Sequence, residues 1–278
     1  MHCELSQVLI RQDDRPAEPG KRKGETSQLM HLKLTIAYDG TGLVGWQRQL
    51  NGPSVQALLE DALASLEGGR VAVAGAGRTD SGVHALGQVA SVTLHRDIAP
   101  AAVVRALNNH LPRWVRVLSA EEVGPDFHAR FNPHRKTYRY RIWNGEVLDP
   151  FERSYVWHIA DRVLNVDAMA NAAGYLLGRH DFAAFQGAGG TVETTVRTIS
   201  SSVVTAVDTS RGGRLISYDV IGDGFLRYMV RSIVGSLVDV GRGRRPTDWM
   251  NDVLVARKRS GAGRTAPAAG LFLVSVHY

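Results

Sequence analysis

Apolar and polar residues alternate over Leu32, Leu34, Ile36 and Tyr38, the period of a half-buried strand. Beyond the loop Asp39–Gly45, residues Val55, Leu58, Leu59, Ala62, Leu63 and Leu66 recur at helical spacing, with Ser54 suited to cap the helix and Gly68 to stop it. Strand-like runs follow at Val71–Ala74 and Val89–Leu94, then a short helix at Ala101–Asn108 and a strand over Val115–Val123. The pattern then restarts. Thr137–Trp143 and Tyr155–Ile159 read as strands, and Met169, Ala172, Ala173, Leu176 and Leu177 as a helix ending at Gly178. Ile199–Val207 and Leu215–Ile221 predict strands, and Phe225–Val240 a strongly apolar helix closing at Gly241. Thr247 is placed to cap a last helix through Ala256, before a final strand at Leu271–Val276.

These elements predict an α+β fold of two similar halves, residues 30–135 and 136–278. Each half is a largely antiparallel or mixed sheet with helices packed on one face, not a doubly wound parallel sheet. Residues 1–29 are polar and mixed in charge, with Pro16, Pro19 and Gly20, and read as a disordered N-terminal extension. Met30 directly precedes the first strand and is a candidate native start, which N-terminal sequencing would test.

The 278 residues, 44% hydrophobic, suffice for one large or two modest cores. No apolar run nears the ~20 residues needed to span a bilayer, and no signal-peptide core is visible, so a cytoplasmic location is expected. The single cysteine, Cys3, cannot form a disulfide within the chain, and the ten histidines lack metal-ligand spacing; no metal is expected. The net charge is +6. Residues 1–29 hold five basic and five acidic groups, so the whole excess belongs to residues 30–278 and suggests a polyanionic partner.

Candidate chemistry concentrates in Gly77-Arg78-Thr79-Asp80-Ser81-Gly82-Val83-His84-Ala85. Without Gly-Lys-Ser/Thr it is no P-loop. Asp80 can be a structural cap of its own turn or a catalytic carboxylate. Ser81 and His84 raise a serine-hydrolase reading, although no nucleophile elbow surrounds Ser81. Residues 127–141 hold Arg130, Arg135, Lys136, Arg139 and Arg141 with no acid, interleaved with Phe127, Phe131, Tyr138 and Tyr140, a pattern suited to phosphates and stacked bases. Residues 242–264 form a second basic stretch, and Gln186–Gly190 a glycine-rich loop. Tyr138, Tyr140 and Ile142 share one strand face, ordinarily a core position. At roughly 100° per residue, Arg227 and Arg231 fall together at one margin of the apolar helix, where solvated arginines are also common.

The nine-residue run resembles the active-site motif of the tRNA pseudouridine synthase A family. The resemblance extends over nearly all of residues 31–278. It includes Gly45-Trp46-Gln47, Phe127-His128-Ala129-Arg130-Phe131, Tyr138-Arg139-Tyr140, Arg197-Thr198-Ile199, Met229-Val230-Arg231 and Gly270-Leu271-Phe272-Leu273. Leu43 departs from it, where an aromatic is common. The resemblance implies the pseudouridine synthase fold and an isomerase that converts uridine to pseudouridine at tRNA positions 38 to 40, in the anticodon stem-loop, without a cofactor. It implies that Asp80 is the nucleophile, that Arg231 pairs with it, and that Tyr138 meets the uracil. It further implies that Arg78 helps extrude the base, that the Gln186 and Gly187 region touches tRNA, and that the protein is a homodimer. Phe127, His128, Ala129, Arg130 and Phe131 join the expected RNA surface. The rival reading is a non-catalytic protein of the same fold that binds structured RNA.

Overall fold

The computed structural model describes residues 29–190, 192–210 and 212–278. The expected disordered extension, apart from Leu29, lies outside the described residues.

The first strand, β1 (Met30–Tyr38), alternates buried and half-buried positions along its whole length, as its sequence requires. Helix α1 (Val55–Glu67) begins where expected. Ser54 Oγ accepts the Ala57 N–H, and Gly68 closes the helix with φ 75°, in the left-handed region that glycine occupies at little cost. The run Val71–Ala74 is less regular than its alternation suggests: only β2 (Ala74–Gly75) pairs, against β3 (His84–Leu94). Val71 and Val73 are buried all the same, because an extended segment points alternate side chains inward with or without a ladder partner. Helix α2 (Pro100–His110) packs on β4 (Val115–Glu122).

In the second half, β5 (Arg135–Asn144) pairs in parallel with β6 (Trp157–Ile159). Helix α3 (Val166–Gly174) stops a turn before Gly178, which instead opens β7 (Gly178–Asp181) with φ 98°. Strands β8 (Val196–Asp208) and β9 (Arg214–Gly222) form a long antiparallel pair. Helix α4 spans Met229–Gly241, so the expected start at Phe225 is corrected: Tyr228 has φ 61°, which no helical residue adopts, and Phe225–Arg227 lie in the preceding loop. Helix α5 (Trp249–Ala256) has Asp248 rather than Thr247 at its N-cap position, with no side-chain capping bond, and the Thr247 backbone carbonyl accepts the Met250 N–H. Strand β10 is Leu271–His277.

Among the described residues these strands join one mixed sheet, ordered β4-β1-β3-β10-β5-β9-β8-β7, with β2 and β6 at its margins. The strands of the two halves meet at β10, which runs parallel to β3 and antiparallel to β5. The helices cover the face bearing Leu34, Ile36, Tyr38, Tyr138, Tyr140 and Ile142, and these side chains share a single hydrophobic core with α1 to α5. At the seam, the Tyr140 hydroxyl donates to Pro267 O at 2.8 Å.

Candidate active site

The glycine-rich run becomes the loop from β2 to β3. Trp46 N donates to Thr79 O at 3.1 Å, and Thr79 Oγ1 lies 2.8 Å from the Tyr38 hydroxyl. Gln88 Nε2 donates to Gly77 O at 2.9 Å. Gly45 permits this approach: a Cβ there would stand 2.5 Å from Thr79 O. Asp80 O accepts the Val83 N–H across a turn whose third residue, Gly82, has φ 76°. The loop is thus fixed through its backbone, and the Asp80 carboxylate is not used as a cap.

That carboxylate meets α4 instead. Arg231 Nη1 donates to Asp80 Oδ2 at 3.2 Å, and Arg231 Nε donates to Ala266 O at 2.8 Å. The Asp80 and Arg231 side chains keep 26% and 15% of their exposure, so both are largely removed from solvent without being sealed. Burial raises the Asp80 carboxyl above its ordinary range, while the Arg231 charge and hydrogen bond, and then the Arg227 charge, act in the opposite direction. Tyr138 lies on the adjoining part of β5, with its ring edge-on to Phe225 at 4.9 Å. Burial, with lesser contributions from Tyr38 and Asp80, drives its phenol pKa far upward, so Tyr138 holds its proton at ordinary pH. Its hydroxyl has no hydrogen-bond partner among the described residues.

Arg227 lies outside the helix but still belongs to this group. The guanidinium carbons of Arg227 and Arg231 stand 4.7 and 4.9 Å from the ring centroid of Tyr228. Tyr228 is the member of the site that hydropathy periodicity missed. An αL backbone at a tyrosine costs about 1–3 kcal/mol and leaves no trace in an apolar period. The only available sequence signal was an aromatic flanked by arginines one residue before and three after.

Ser81 and His84 do not form a hydrolytic pair. Ser81 Oγ donates to Leu43 O at 3.0 Å. His84 Nδ1 accepts the Gly40 N–H at 3.0 Å, and its Nε2 faces the carbonyls of Ser154 and Ala269 at 3.0 and 3.1 Å. Burial lowers the pKa of this imidazole, against the opposing charge of Asp39, whose Oδ1 is 3.1 Å away. The hydrolase reading falls, and His84 is a tie between the halves.

The other expected site residues are more dispersed. Arg78 is exposed and makes no hydrogen bond or ion pair among the described residues. The 127–131 segment lies on the sheet face away from the helices. Ala129 packs with Ala76 and Val89, and Val89 pairs with Thr35, on the side opposite Leu34. The Phe127 ring packs tilted against Tyr278, centroids 4.9 Å apart, and the Tyr278 hydroxyl donates to Ala129 O at 2.8 Å. Ala129 is fully buried, whereas Arg130 is exposed and Phe131 keeps 74% of its surface in solvent. His128 is half-buried, its ring 4.4 Å from that of Phe131. Lys136 Nζ donates to Ala76 O at 2.8 Å, at the start of the loop from β2 to β3. Gln186 is half-buried, and Gly187 is buried against Tyr228. Among the described residues no group of three or more His, Cys, Asp or Glu side chains could hold a metal.

A largely desolvated carboxylate held against an arginine, beside a tyrosine that keeps its proton, can support nucleophilic or proton-transfer chemistry. The family model described as tRNA pseudouridine synthase matches residues 34–132 and 172–278. The chain belongs to that family and is an isomerase forming pseudouridine in tRNA. It is 47% identical over 247 residues to tRNA pseudouridine synthase A of Myxococcus xanthus, spanning 89% of this chain and 91% of that one. It is 47% identical over 249 residues to the protein of that name from Moorella thermoacetica, spanning 89% and 99%. Against its namesake from Acetivibrio thermocellus it is 43% identical over 250 residues, spanning 90% and 100%.

Proposed function

We propose that this enzyme isomerises uridine at positions 38 to 40 of the tRNA anticodon stem-loop with Asp80 as its nucleophile. The observation that carries this reading is the Asp80–Arg231 contact: an arginine of α4 stands where a largely desolvated carboxylate needs a compensating charge to be ionised. In the reaction the N1–C1′ bond breaks and a C5–C1′ bond forms. The C5 proton leaves and N1 gains one, so the product is an isomer. Asp80 attacks either C6 of the uracil or C1′ of the ribose, and an ionised carboxylate held at close range is a competent nucleophile for both. Tyr138 stacks on the uracil, and its protonated hydroxyl supplies the proton transfer. Arg78, exposed and unpaired, fills the space the extruded base leaves, which offsets part of the few kcal/mol that unstacking costs.

Arg130 and Phe131, with the Gln186 and Gly187 region and the basic stretch 242–264, supply the wider tRNA surface. The working form is a cytoplasmic homodimer in which two subunits build one RNA cleft. Among the described residues no helix is long and apolar enough to cross a membrane. The test is incubation with unmodified tRNA, followed by mapping of pseudouridine. Product at positions 38 to 40 is expected, and lost in Asp80→Asn. Tight tRNA binding with no product would return the site to the non-catalytic RNA-binding reading.

A further inference from the structure

We propose that Tyr228 is a positioning residue that sets the two cations beside Asp80. The inference rests on the assignment of Asp80 as the nucleophile. Three observations converge. Tyr228 has φ 61°, which turns the chain just before α4 and lets residues on both sides of it point to one place. Its ring carries Arg227 at 4.7 Å and Arg231 at 4.9 Å, so one aromatic ring serves both guanidinium groups. Arg227 is further fixed by bonds from Nη2 to the Tyr228 hydroxyl at 3.1 Å and from Nη1 to Ala188 O at 2.8 Å.

Two like charges brought to one carboxylate repel each other. A ring that attracts both is a physical means of keeping them there when the RNA is absent. The seat of the ring is built for it. Gly187 N donates to Arg227 O at 2.8 Å, and a Cβ on Gly187 would stand 2.1 Å from Tyr228 Cδ2. Gly187 is therefore the space that admits the ring, a role separate from any contact with tRNA.

The charged and titratable groups that bear on Asp80 are Arg231 on α4, Arg227 on the preceding loop and Tyr138 on β5. The experiment follows the Asp80 carboxyl by ¹³C NMR titration in the RNA-free protein, assigned by its loss in Asp80→Asn, alongside kcat and KM on an anticodon stem-loop RNA. Tyr228→Asn tolerates the αL backbone but removes the ring, and Gly187→Ala keeps the tyrosine but evicts its ring. Both should raise the Asp80 titration midpoint and lower kcat at least tenfold, and Tyr228→Asn should keep KM within threefold. Tyr228→Phe keeps the ring and should stay within threefold of wild type in kcat. Folded Tyr228→Asn or Gly187→Ala protein with an unmoved midpoint and wild-type kcat would overturn the inference. So would a tenfold loss in Tyr228→Phe with the midpoint unmoved, because the hydroxyl would then be the acting group. The titration needs no substrate. Absence of pseudouridine with the wild-type protein would therefore count against the proposed reaction and not against the role of Tyr228.

Discussion

Arg231 and Asp80, separated by 151 positions in the chain, meet at 3.2 Å between Nη1 and Oδ2. The loop from β2 to β3 presents the carboxylate, and the first turn of α4 presents the guanidinium. Neither partner is buried deeply enough to be inert, and neither is exposed enough for solvent to screen the pair away.

Replacing Asp80 by Asn should reduce pseudouridine formation by at least about a thousandfold, because the proposed nucleophile is lost while the shape is kept. Stability should respond in a specific direction. A carboxyl whose folded pKa is raised contributes stability that is present below its unfolded pKa, ~3.9, and lost as pH rises through the folded value. The Asn variant should therefore melt at or above the wild-type temperature at pH 7, and the difference should close near pH 4. A markedly lower melting temperature at pH 7 would show that the pair stabilises the fold, contrary to the raised pKa.

The acid limb of the rate profile should lie above the ordinary carboxylate range, because the proposed reaction needs Asp80 ionised and burial resists this. Arg231→Met removes the largest opposing influence and should move that limb further up. Single-turnover rates between pH 4 and 8 measure both, and an acid limb at or below ~4 in the wild type would contradict the burial of Asp80.

Tyr138→Phe keeps the ring against Phe225 and deletes a hydroxyl that has no protein partner among the described residues. Its melting temperature should stay near wild type, while kcat falls by ~10²-fold or more if the hydroxyl moves a proton. Tyr140→Phe makes a useful contrast. It loses the bond to Pro267 O, which should cost about 1 kcal/mol of stability in denaturant titrations.

Arg78→Ala should leave stability within about 0.5 kcal/mol, since the side chain is exposed and unpaired. Affinity for the stem-loop should fall, and the slope of log affinity against log salt should become shallower by close to one if the guanidinium contacts a phosphate. An unchanged slope with a lower kcat would instead favour base extrusion as its whole role.

Most strands and helices were legible because alternation and helical spacing follow burial of a single face, as in β1 and α1. The start of α4 was not, since Phe225 and Leu226 are as apolar as the helix they precede, and only a backbone angle at Tyr228 separates the two. Asp80 and Arg231 were readable through the motif resemblance, and their contact was expected from it. The far-side position of the 127–131 segment was not readable. Spacing along β5 assigns faces within one strand, but it does not say which face an adjoining loop folds over. Nor did sequence reveal that the two halves share one sheet, because a junction near residue 135 is silent about where residues 271–277 will insert.

That insertion constrains how the enzyme comes into being. Strand β10 is synthesised after every other strand described, yet it occupies an inner position between β3 and β5. Until it arrives, both neighbours present unpaired ladder edges, and the surfaces bearing Asp80 and Tyr138 lack the strand that fixes their separation. Until β10 is made, the two sets of strands that it joins remain incomplete. Such non-local pairing favours slow folding and leaves the nascent chain open to misassociation.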